Sequence, residues 1–396
     1  MKWDVAIVGG GPAGCFLGRN LAKEGLDVVI IEEHEEIGSN VCCAGIVGAS
    51  GLQEIGIKPG KWVLGELKRA VFYPPSGEPA KFGRKKTEAF VVDRSLFDMW
   101  LGEEAAKAGA AVLLNTRCTG VKLGKDWQGL LLEGADGGWL KARLVVGADG
   151  PASVVARAAG LRSLKGVTRC AQVECKADVD ASTAEVYLSK KFAPGFFGWA
   201  VRAGEKTRIG LGTTEGNPVK LLQSFMKHHP VMSAKISNVK TTGYCAAPIP
   251  PPFSTKICAD GVILVGDAAG QVKPLTGGGI YLGLSCARIA SDVVAKTLDH
   301  PSGKNLAEYE SRVKKKFGME VQMGLRGRRA FQRMSDDDLK AVVELLRDED
   351  VKKLVDDNFS FDDHGKLLGA LVKNAPAILR KVGARRLVKF ARLFLT

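Results

Sequence analysis

Three glycine-rich segments carry the residue types that bind a dinucleotide. The first, Gly9-Gly10-Gly11-Pro12-Ala13-Gly14, directly follows a short apolar strand. Gly9 allows a tight turn, Gly11 lets a pyrophosphate approach the backbone, and Gly14 lets the next helix pack closely on the strand. The helix N-terminus adds N–H donors and a partial positive charge. Glu32 ends the second strand, where its carboxylate can accept hydrogen bonds from ribose hydroxyls.

Two acidic turns follow the first motif along the chain. They are Val145-Val146-Gly147-Ala148-Asp149-Gly150 and Leu264-Val265-Gly266-Asp267-Ala268-Ala269-Gly270, and each ends an apolar strand. An Asp at such a turn can bind the ribityl hydroxyls of a flavin, and small neighbours leave room for the cofactor. Either turn alone is better explained as a helix cap. Because three such turns occur in this order, the sequence favours a cofactor site.

The elements that must position these turns form an α/β pattern. Val5–Val8, Pro12–Glu24 and Val28–Ile31 predict a βαβ unit, and the segments Cys170–Tyr187 and Phe196–Gly212 predict a second sheet. We expect a doubly wound cofactor-binding core, an inserted antiparallel sheet domain and a helical C-terminal region. The expected divisions are a core of residues 1–65, 93–165 and 255–300, a sheet domain of 66–92 and 166–254, and a helical region of 301–396.

The net charge indicates an anionic partner. Lys and Arg number 57 against 43 acidic residues, for a formal charge of +14. Apolar residues between Leu379 and Phe394 lie near one helical face and basic residues near the other, which predicts either a helix at an anionic membrane surface or a terminal helix packed on its own domain. Lys314–Lys316 and Arg326–Arg329 could meet lipid phosphates or an acidic electron-transfer protein. Interleaved basic and aromatic residues are not evident, so we expect no nucleic acid.

The cysteines and the hydropathy predict the compartment. Nine cysteines are scattered without a small disulfide framework, which fits a reducing cytoplasm, and no spacing suggests a metal site. No apolar run reaches the length of a membrane span, and no secretory leader is visible. We therefore expect a cytoplasmic protein. If the basic tail lies at a membrane surface, the protein would bind peripherally to the inner face of the cell membrane.

The ordered motifs resemble the glutathione-reductase-2 type of flavoproteins, which includes p-hydroxybenzoate hydroxylase. This resemblance implies FAD, with the middle motif bridging pyrophosphate and riboflavin and the last one binding ribityl. The segment 92–98 matches the arginine-bearing helix start of that class, so Arg94 would approach the ribityl–phosphate region. Cys118 is also assigned to the cofactor site. No second dinucleotide fold is marked, so a separate NADPH domain is not expected.

Within that class, the chain resembles the geranylgeranyl reductase family, including the archaeal digeranylgeranylglycerophospholipid reductases. The resemblance lies in Val41-Cys42-Cys43-Ala44-Gly45, Pro194-Gly195-Phe196-Phe197-Gly198-Trp199-Ala200-Val201 and Pro274-Leu275-Thr276-Gly277-Gly278-Gly279-Ile280. It implies that Cys43 and Ala44 lie near the flavin ring, and that the loop of Gly278, Gly279 and Ile280 places backbone groups over the flavin. It also implies an aromatic wall for the substrate, formed by Phe196, Phe197 and Trp199. The chain departs from the family pattern at Phe197, where Tyr is frequent, and at Val201-Arg202, which replace Phe-Pro.

The implied activity is FAD-dependent saturation of carbon–carbon double bonds in polyprenyl lipids. Reduced flavin would supply a hydride to one carbon, and a protein group would protonate the other. Cys43 is the candidate proton donor; the alternatives are a wall that shapes the site or a small buried side chain, and Cys42 could be the relevant thiol instead. Both NAD(P)H and reduced ferredoxin stay open as electron donors. The rival activity is that of a flavin monooxygenase or halogenase, although the halogenase Trp-x-Trp-x-Ile-Pro signature is absent.

Overall fold

The computed structural model describes residues 2–161, 166–238, 243–253, 256–362, 365–374 and 376–378. Its contacts divide the chain into two compact units, each assembled from three segments. Unit 1 comprises Met1–Val41, Arg94–Gly166 and Ile249–Met319. Unit 2 comprises Cys42–Asp93, Val167–Pro248 and Glu320–Thr396.

The bounds of the strands and helices are as follows. The strands are β1 (Lys2–Val8), β2 (Val28–Ile31), β3 (Ile46–Gly48), β4 (Val63–Leu67), β5 (Arg69–Tyr73), β6 (Ala80–Gly83), β7 (Ala89–Val92), β8 (Ala111–Leu113), β9 (Thr116–Lys122), β10 (Gln128–Gly134), β11 (Gly138–Gly147), β12 (Thr168–Ala177), β13 (Thr183–Tyr187), β14 (Gly198–Ala203), β15 (Lys206–Thr213), β16 (Ile236–Asn238), β17 (Tyr244–Ile249), β18 (Cys258–Ala259) and β19 (Val262–Leu264). The helices are α1 (Pro12–Lys23), α2 (Ala49–Glu54), α3 (Arg94–Lys107), α4 (Val154–Ala158), α5 (Pro218–His228), α6 (Pro230–Lys235), α7 (Ile280–Thr297), α8 (Gly303–Arg333), α9 (Asp336–Leu346), α10 (Glu349–Asn358) and α11 (Gly365–Lys373).

Unit 1 is built on a parallel sheet with strand order β19-β11-β1-β2-β8. The β2 residues and the second half of β1 are buried throughout, and this explains their continuous apolar sequence. Helix α1 packs against α3 and α7. The antiparallel strand β10 pairs with the first half of β11, and β9 pairs with β10. The predicted βαβ unit and doubly wound core are confirmed.

Unit 2 contains a mostly antiparallel sheet with the order β16-β12-β15-β14-β13-β5-β6, in which β13 and β5 run parallel. A smaller sheet has the order β3-β7-β4. Residues 42–65, which the sequence division assigns to the core, lie in unit 2 because β3 and β4 pair with β7. The chain after Pro301 is helical through α8–α11, as the sequence predicts.

One disulfide is present within unit 2. It joins Cys42 to Cys245, which are 203 positions apart, with a Cα–Cα distance of 5.7 Å. The sequence spacing gave no sign of this bond, because the fold alone brings β17 beside residue 42. Of the remaining cysteines, Cys43 is half-buried and the other six are buried.

No helix among the described residues is both long and apolar enough to cross a membrane. The amphipathic helix predicted for residues 379–394 lies outside the described residues.

A buried histidine in unit 2 gives a testable stability change. His229 packs edge-on against the rings of Tyr187 and Phe225, and its Nδ1 accepts a hydrogen bond from the Met232 N–H. Burial lowers the pKa of His229 from 6.5 to about 4. Between these values the unfolded chain binds a proton that the folded chain does not, so stability decreases as the pH falls from 6.5 toward 4. The loss from this group is about 3 kcal/mol.

We therefore expect His229→Asn, which keeps an acceptor at the start of α6, to flatten the dependence of unfolding free energy on pH in this range. Chemical denaturation at a series of pH values measures it. His228→Asn, at the exposed neighbouring position, is the matched control and should keep the wild-type slope. Equal slopes in all three proteins would contradict the assignment.

Candidate functional site

The three predicted cofactor segments of unit 1 lie side by side at the carboxyl ends of parallel strands. The Gly9 N–H donates to the Ile31 carbonyl at 2.8 Å, and the Ala148 N–H donates to the Val8 carbonyl at 2.8 Å. On the other side, the Val265 N–H donates to the Gly147 carbonyl at 2.9 Å. This edge of a doubly wound sheet is where dinucleotides bind, so the structure brings the three segments together as the sequence predicts.

The glycines of the first two segments serve two purposes. Gly9 has a positive φ of 105°, and a Cβ there would collide with the Ala148 carbonyl; a Cβ at Gly14 would collide with the Gly9 carbonyl. These two glycines therefore allow close backbone packing. A Cβ at Gly11 or Gly150 would meet no heavy atom within 4 Å. The backbone at these positions is accessible, as a phosphate-binding surface requires.

Glu32 is held against the first motif. Its Oε2 accepts from the Gly10 N–H at 2.8 Å, and its Oε1 accepts from the His34 N–H at 3.0 Å and contacts the His34 Nδ1 at 2.6 Å. The residue is buried, with a relative exposure of 9%. A carboxylate has about four acceptor positions, so capacity for ribose hydroxyls remains.

Asp149 has an unsatisfied oxygen. Its Oδ2 accepts from the N–H groups of Val154 and Val155 at 2.7 and 3.3 Å, whereas its buried Oδ1 has no hydrogen-bond partner among the described residues. Burial raises the pKa of Asp149. Burial likewise raises the pKa of the neighbouring Cys118 thiol to about 12, with a further contribution from the Asp149 charge. An orphaned buried acceptor is costly unless a ligand donates to it, so this corner fits a hydroxyl-bearing cofactor.

Asp267 lies in a short 3-10 turn, Gly266–Ala269, that follows β19. Burial raises its pKa to about 6, and the positive charge of Arg94 opposes that rise. The Arg94 guanidinium pairs with both oxygens of Asp98, at 2.8 and 2.7 Å, which fixes its orientation on the first turn of α3. The charges of the predicted cofactor residues Arg94 and Asp267 therefore interact.

Small residues allow the third turn to approach the first motif. A Cβ on Gly266 would lie 3.1 Å from the Ala13 Cβ, and a Cβ on Gly283 would lie 3.4 Å from the Gly266 Cα. A Cβ on Gly279, which precedes Ile280 at the start of α7, would lie 3.0 Å from Asp267 Oδ1. The Gly278 carbonyl accepts from the Lys273 N–H at 3.0 Å.

A buried hydrogen-bond chain that the sequence did not reveal supports the third turn. Gln271 Oε1 accepts from the Gly266 N–H at 2.7 Å, and Gln271 Nε2 donates to the Tyr309 hydroxyl at 2.6 Å. Tyr309, from α8, donates in turn to the Leu264 carbonyl at 3.0 Å. Both side chains are fully buried. Only the three-dimensional structure places Tyr309 beside the turn, so sequence spacing held no signal for it.

In unit 2, every backbone carbonyl of the segment Cys43–Gly45 is bound by a donor of the surrounding sheets. Gln172 Nε2 donates to the Cys43 carbonyl at 3.1 Å, Arg208 Nη1 donates to the Ala44 carbonyl at 3.1 Å, and the Val92 N–H donates to the Gly45 carbonyl at 2.7 Å. The Gly45 N–H contacts the Cys43 sulfur at 3.3 Å. Cys43 is therefore a free thiol on a fixed segment, whereas Cys42 is covalently bound to Cys245.

The predicted substrate residues form one aromatic row in unit 2. The Phe196 and Phe197 rings stack with centroids 4.3 Å apart, and the Phe197 and Trp199 rings meet at 71° with centroids 6.3 Å apart. Phe196 is buried, and the Arg328 guanidinium lies 5.5 Å from its ring centroid. Phe197 and Trp199 are half-buried, so parts of their rings are accessible.

Comparisons of sequence agree with this geometry. The profile of the FAD binding domain family matches residues 2–52 and 83–321. A digeranylgeranylglycerophospholipid reductase of Methanopyrus kandleri is 34% identical, over 96% of this chain and 98% of its own length. The enzyme of that name from Methanocaldococcus jannaschii is also 34% identical, over 89% of this chain and 94% of its own length.

Solved structures give the same fold. A geranylgeranyl bacteriochlorophyll reductase-like protein of Thermoplasma acidophilum superposes with a TM-score of 0.85 and 26% identity, covering 96% of this chain and 98% of its own. The halogenase PltM superposes with a TM-score of 0.69 at 17% identity, covering 94% of this chain and 86% of its own, and this likeness concerns the fold alone. The chain belongs to the FAD binding domain family and, within it, to the digeranylgeranylglycerophospholipid reductases.

Proposed function

We propose that the protein is an FAD-dependent reductase that saturates carbon–carbon double bonds in the geranylgeranyl chains of membrane lipids or their prenyl precursors. The observation that carries the proposal is the relationship, over nearly the whole chain, to proteins named for this activity. The strand-end loops of unit 1 support it, because the orphaned oxygen of Asp149 and the open backbone at Gly11 fit FAD.

The chemistry requires a hydride and a proton on adjacent carbons. FAD, when bound and reduced, supplies the hydride. Cys43 holds the proton on its sulfur and delivers it to the other carbon of the double bond. This assignment is supported by the fixed carbonyls of the segment and by the fact that Cys43 is the one free cysteine that is not buried. Phe197 has no hydroxyl and cannot serve as the donor.

The aromatic row binds the isoprenoid chain. Large flat rings bury apolar surface with little loss of side-chain entropy, and they exclude water from an alkene that must be held in one orientation. Phe197 and Trp199 present accessible ring surface, and the buried Phe196 supports Phe197 from behind.

The basic surface of α8 binds an anionic membrane that presents the lipid. Lys315, Met319, Arg326 and Arg329 recur at spacings of three, four and seven, so they share one helical face, and all four are exposed. Met319 is 77% exposed. Lys314, Lys315, Arg326 and Arg329 form no ion pair within the described part of the chain. An apolar side chain among unpaired cations suits a headgroup layer. The electrons come from NAD(P)H or from a reduced ferredoxin.

The proposed activity is tested by single turnover without oxygen. Protein loaded with FAD is reduced by dithionite and mixed anaerobically with a geranylgeranyl phospholipid in anionic vesicles. We expect the flavin absorbance to return as the lipid gains two hydrogens per step, measured by mass spectrometry, because the alkene is the only electron acceptor supplied.

Vesicles of neutral lipid provide the matched comparison for the α8 surface, and slower turnover is expected with them because the cations lose their counter-charges. A flavin that is reoxidised only by oxygen, with hydroxylated lipid as product, would contradict the reductase and identify a monooxygenase.

The role of Cys43 is tested by Cys43→Ala and Cys43→Ser. Loss of a general acid slows the chemical step by about 100-fold or more, and serine is too weak an acid to restore it. We expect both variants to retain FAD and to be reduced by dithionite at the wild-type rate, with slow reoxidation by the lipid. Unchanged reoxidation in Cys43→Ala with FAD still bound would show that Cys43 only shapes the site and does not donate the proton.

A further inference from the structure

Gln172 contacts both segments of unit 2 that the proposed function uses. It lies on β12 and is buried, with a relative exposure of 5%. Its Nε2 donates to the Cys43 carbonyl at 3.1 Å, and its Oε1 accepts from the Trp199 indole N–H at 3.3 Å. One planar amide therefore spans the proton-donor segment and the aromatic row.

The chemistry of the two partners fixes the orientation of this amide. A carbonyl oxygen can only accept and an indole N–H can only donate. If the amide were flipped, its oxygen would face the Cys43 carbonyl and its NH2 group would face the Trp199 N–H, and both contacts would be repulsive. Gln172 therefore has one satisfied orientation, in which both ends of its amide are used.

The sheet register explains how Trp199 reaches Gln172 across an intervening strand. Gln172 is paired with Gly210 on β15, and Gly210 is paired with Trp199 on β14. The three residues lie in one row, and strands are about 4.8 Å apart. A Cβ on Gly210 would collide with the Trp199 ring. Because Gly210 has no side chain, the indole crosses β15 and meets the amide.

We propose that Gln172 is a positioning residue for the reduction, which sets the position of the Cys43 thiol relative to the aromatic wall through Trp199. The proposal rests on the proposed function for its effect on rate. A rigid amide bonded at both ends keeps the proton donor and the bound chain in a constant relation, and Arg208 holds the adjacent Ala44 carbonyl independently. Gly210 is required because any side chain at this position would block the Trp199 indole from reaching Gln172 across β15.

The test uses Gln172→Leu, which has similar volume and lacks both hydrogen bonds, in the FAD-loaded protein. Misplacement by about 1 Å lowers a rate roughly 100-fold, so we expect reoxidation by the lipid to slow by about that factor. Dithionite reduction and FAD content should stay at wild-type levels, because the described hydrogen bonds of the Gln172 side chain go to Cys43 and Trp199 and to none of the strand-end loops. Gln223→Leu, at an exposed glutamine on α5, is the matched control.

Two further measurements separate positioning from a merely structural role. The alkylation rate of Cys43 by iodoacetamide should change by about threefold or more in Gln172→Leu. The Cys43 carbonyl then loses its hydrogen bond from Gln172, and the position and exposure of the Cys43 thiol change with it. Trp199→Phe removes the indole N–H, and combining it with Gln172→Leu should add little further loss, because the two residues act as one unit. If Gln172→Leu does not fold, Gln172→Glu, which keeps the acceptor and loses the donor, takes its place.

Reoxidation and alkylation rates equal to those of Gln223→Leu would overturn the proposal, and so would losses that multiply independently in the double variant. A wild-type protein that reduces no geranylgeranyl lipid would instead refute the proposed function. In that case the alkylation rates of the same variants, which need no substrate, still decide whether Gln172 positions Cys43.

Discussion

The proposed cofactor site depends on two carboxylates that the fold keeps away from water at the ends of parallel strands. Burial raises the pKa of Asp149 and raises that of Asp267 to about 6, and Asp149 Oδ1 has no donor among the described residues. A buried acceptor without a donor lowers stability, and hydroxyl groups of a bound cofactor can restore the missing hydrogen bonds. The close backbone packing at Gly9 and Gly14 brings the strand ends near one another. One extended molecule can therefore contact all of them.

In unit 2 the proposed functional segment is held by hydrogen bonds to its backbone, whereas in unit 1 the proposed cofactor carboxylates are buried away from water. The sheets of unit 2 bind the carbonyls of Cys43, Ala44 and Gly45, so the thiol is carried on a segment with little freedom to move. Side chains on rigid strands are placed more reproducibly than side chains on free loops, and an alkene that offers no polar group must be aligned by shape alone. Two glycines of β15 make room for the aromatic side chains: Gly210 leaves space for the Trp199 ring, and Gly212 leaves space for the Phe196 ring.

What the sequence could predict was local. The strand–turn–helix motif at Gly9–Gly14 and the acidic turns at Asp149 and Asp267 each depend on a few adjacent residues, so their pattern indicated both the elements and the cofactor. The Cys42–Cys245 bond and the row from Gln172 through Gly210 to Trp199 depend on strand register between distant segments, which no spacing encodes. The aromatic row was found only through the resemblance to a family, since three aromatic side chains at the start of β14 are otherwise ordinary core residues.

The most direct test of the account measures FAD affinity against pH for the wild type and for Asp267→Asn. If cofactor hydroxyls donate to an ionised Asp267, binding to the protonated group must release a proton. The affinity should then be constant above pH 7 and weaken about tenfold per unit below the pKa of about 6. Asp267→Asn should bind FAD more weakly, with this dependence removed. The same pH dependence in both proteins, or an affinity unchanged by the substitution, would contradict the claim that FAD lies across the strand-end loops.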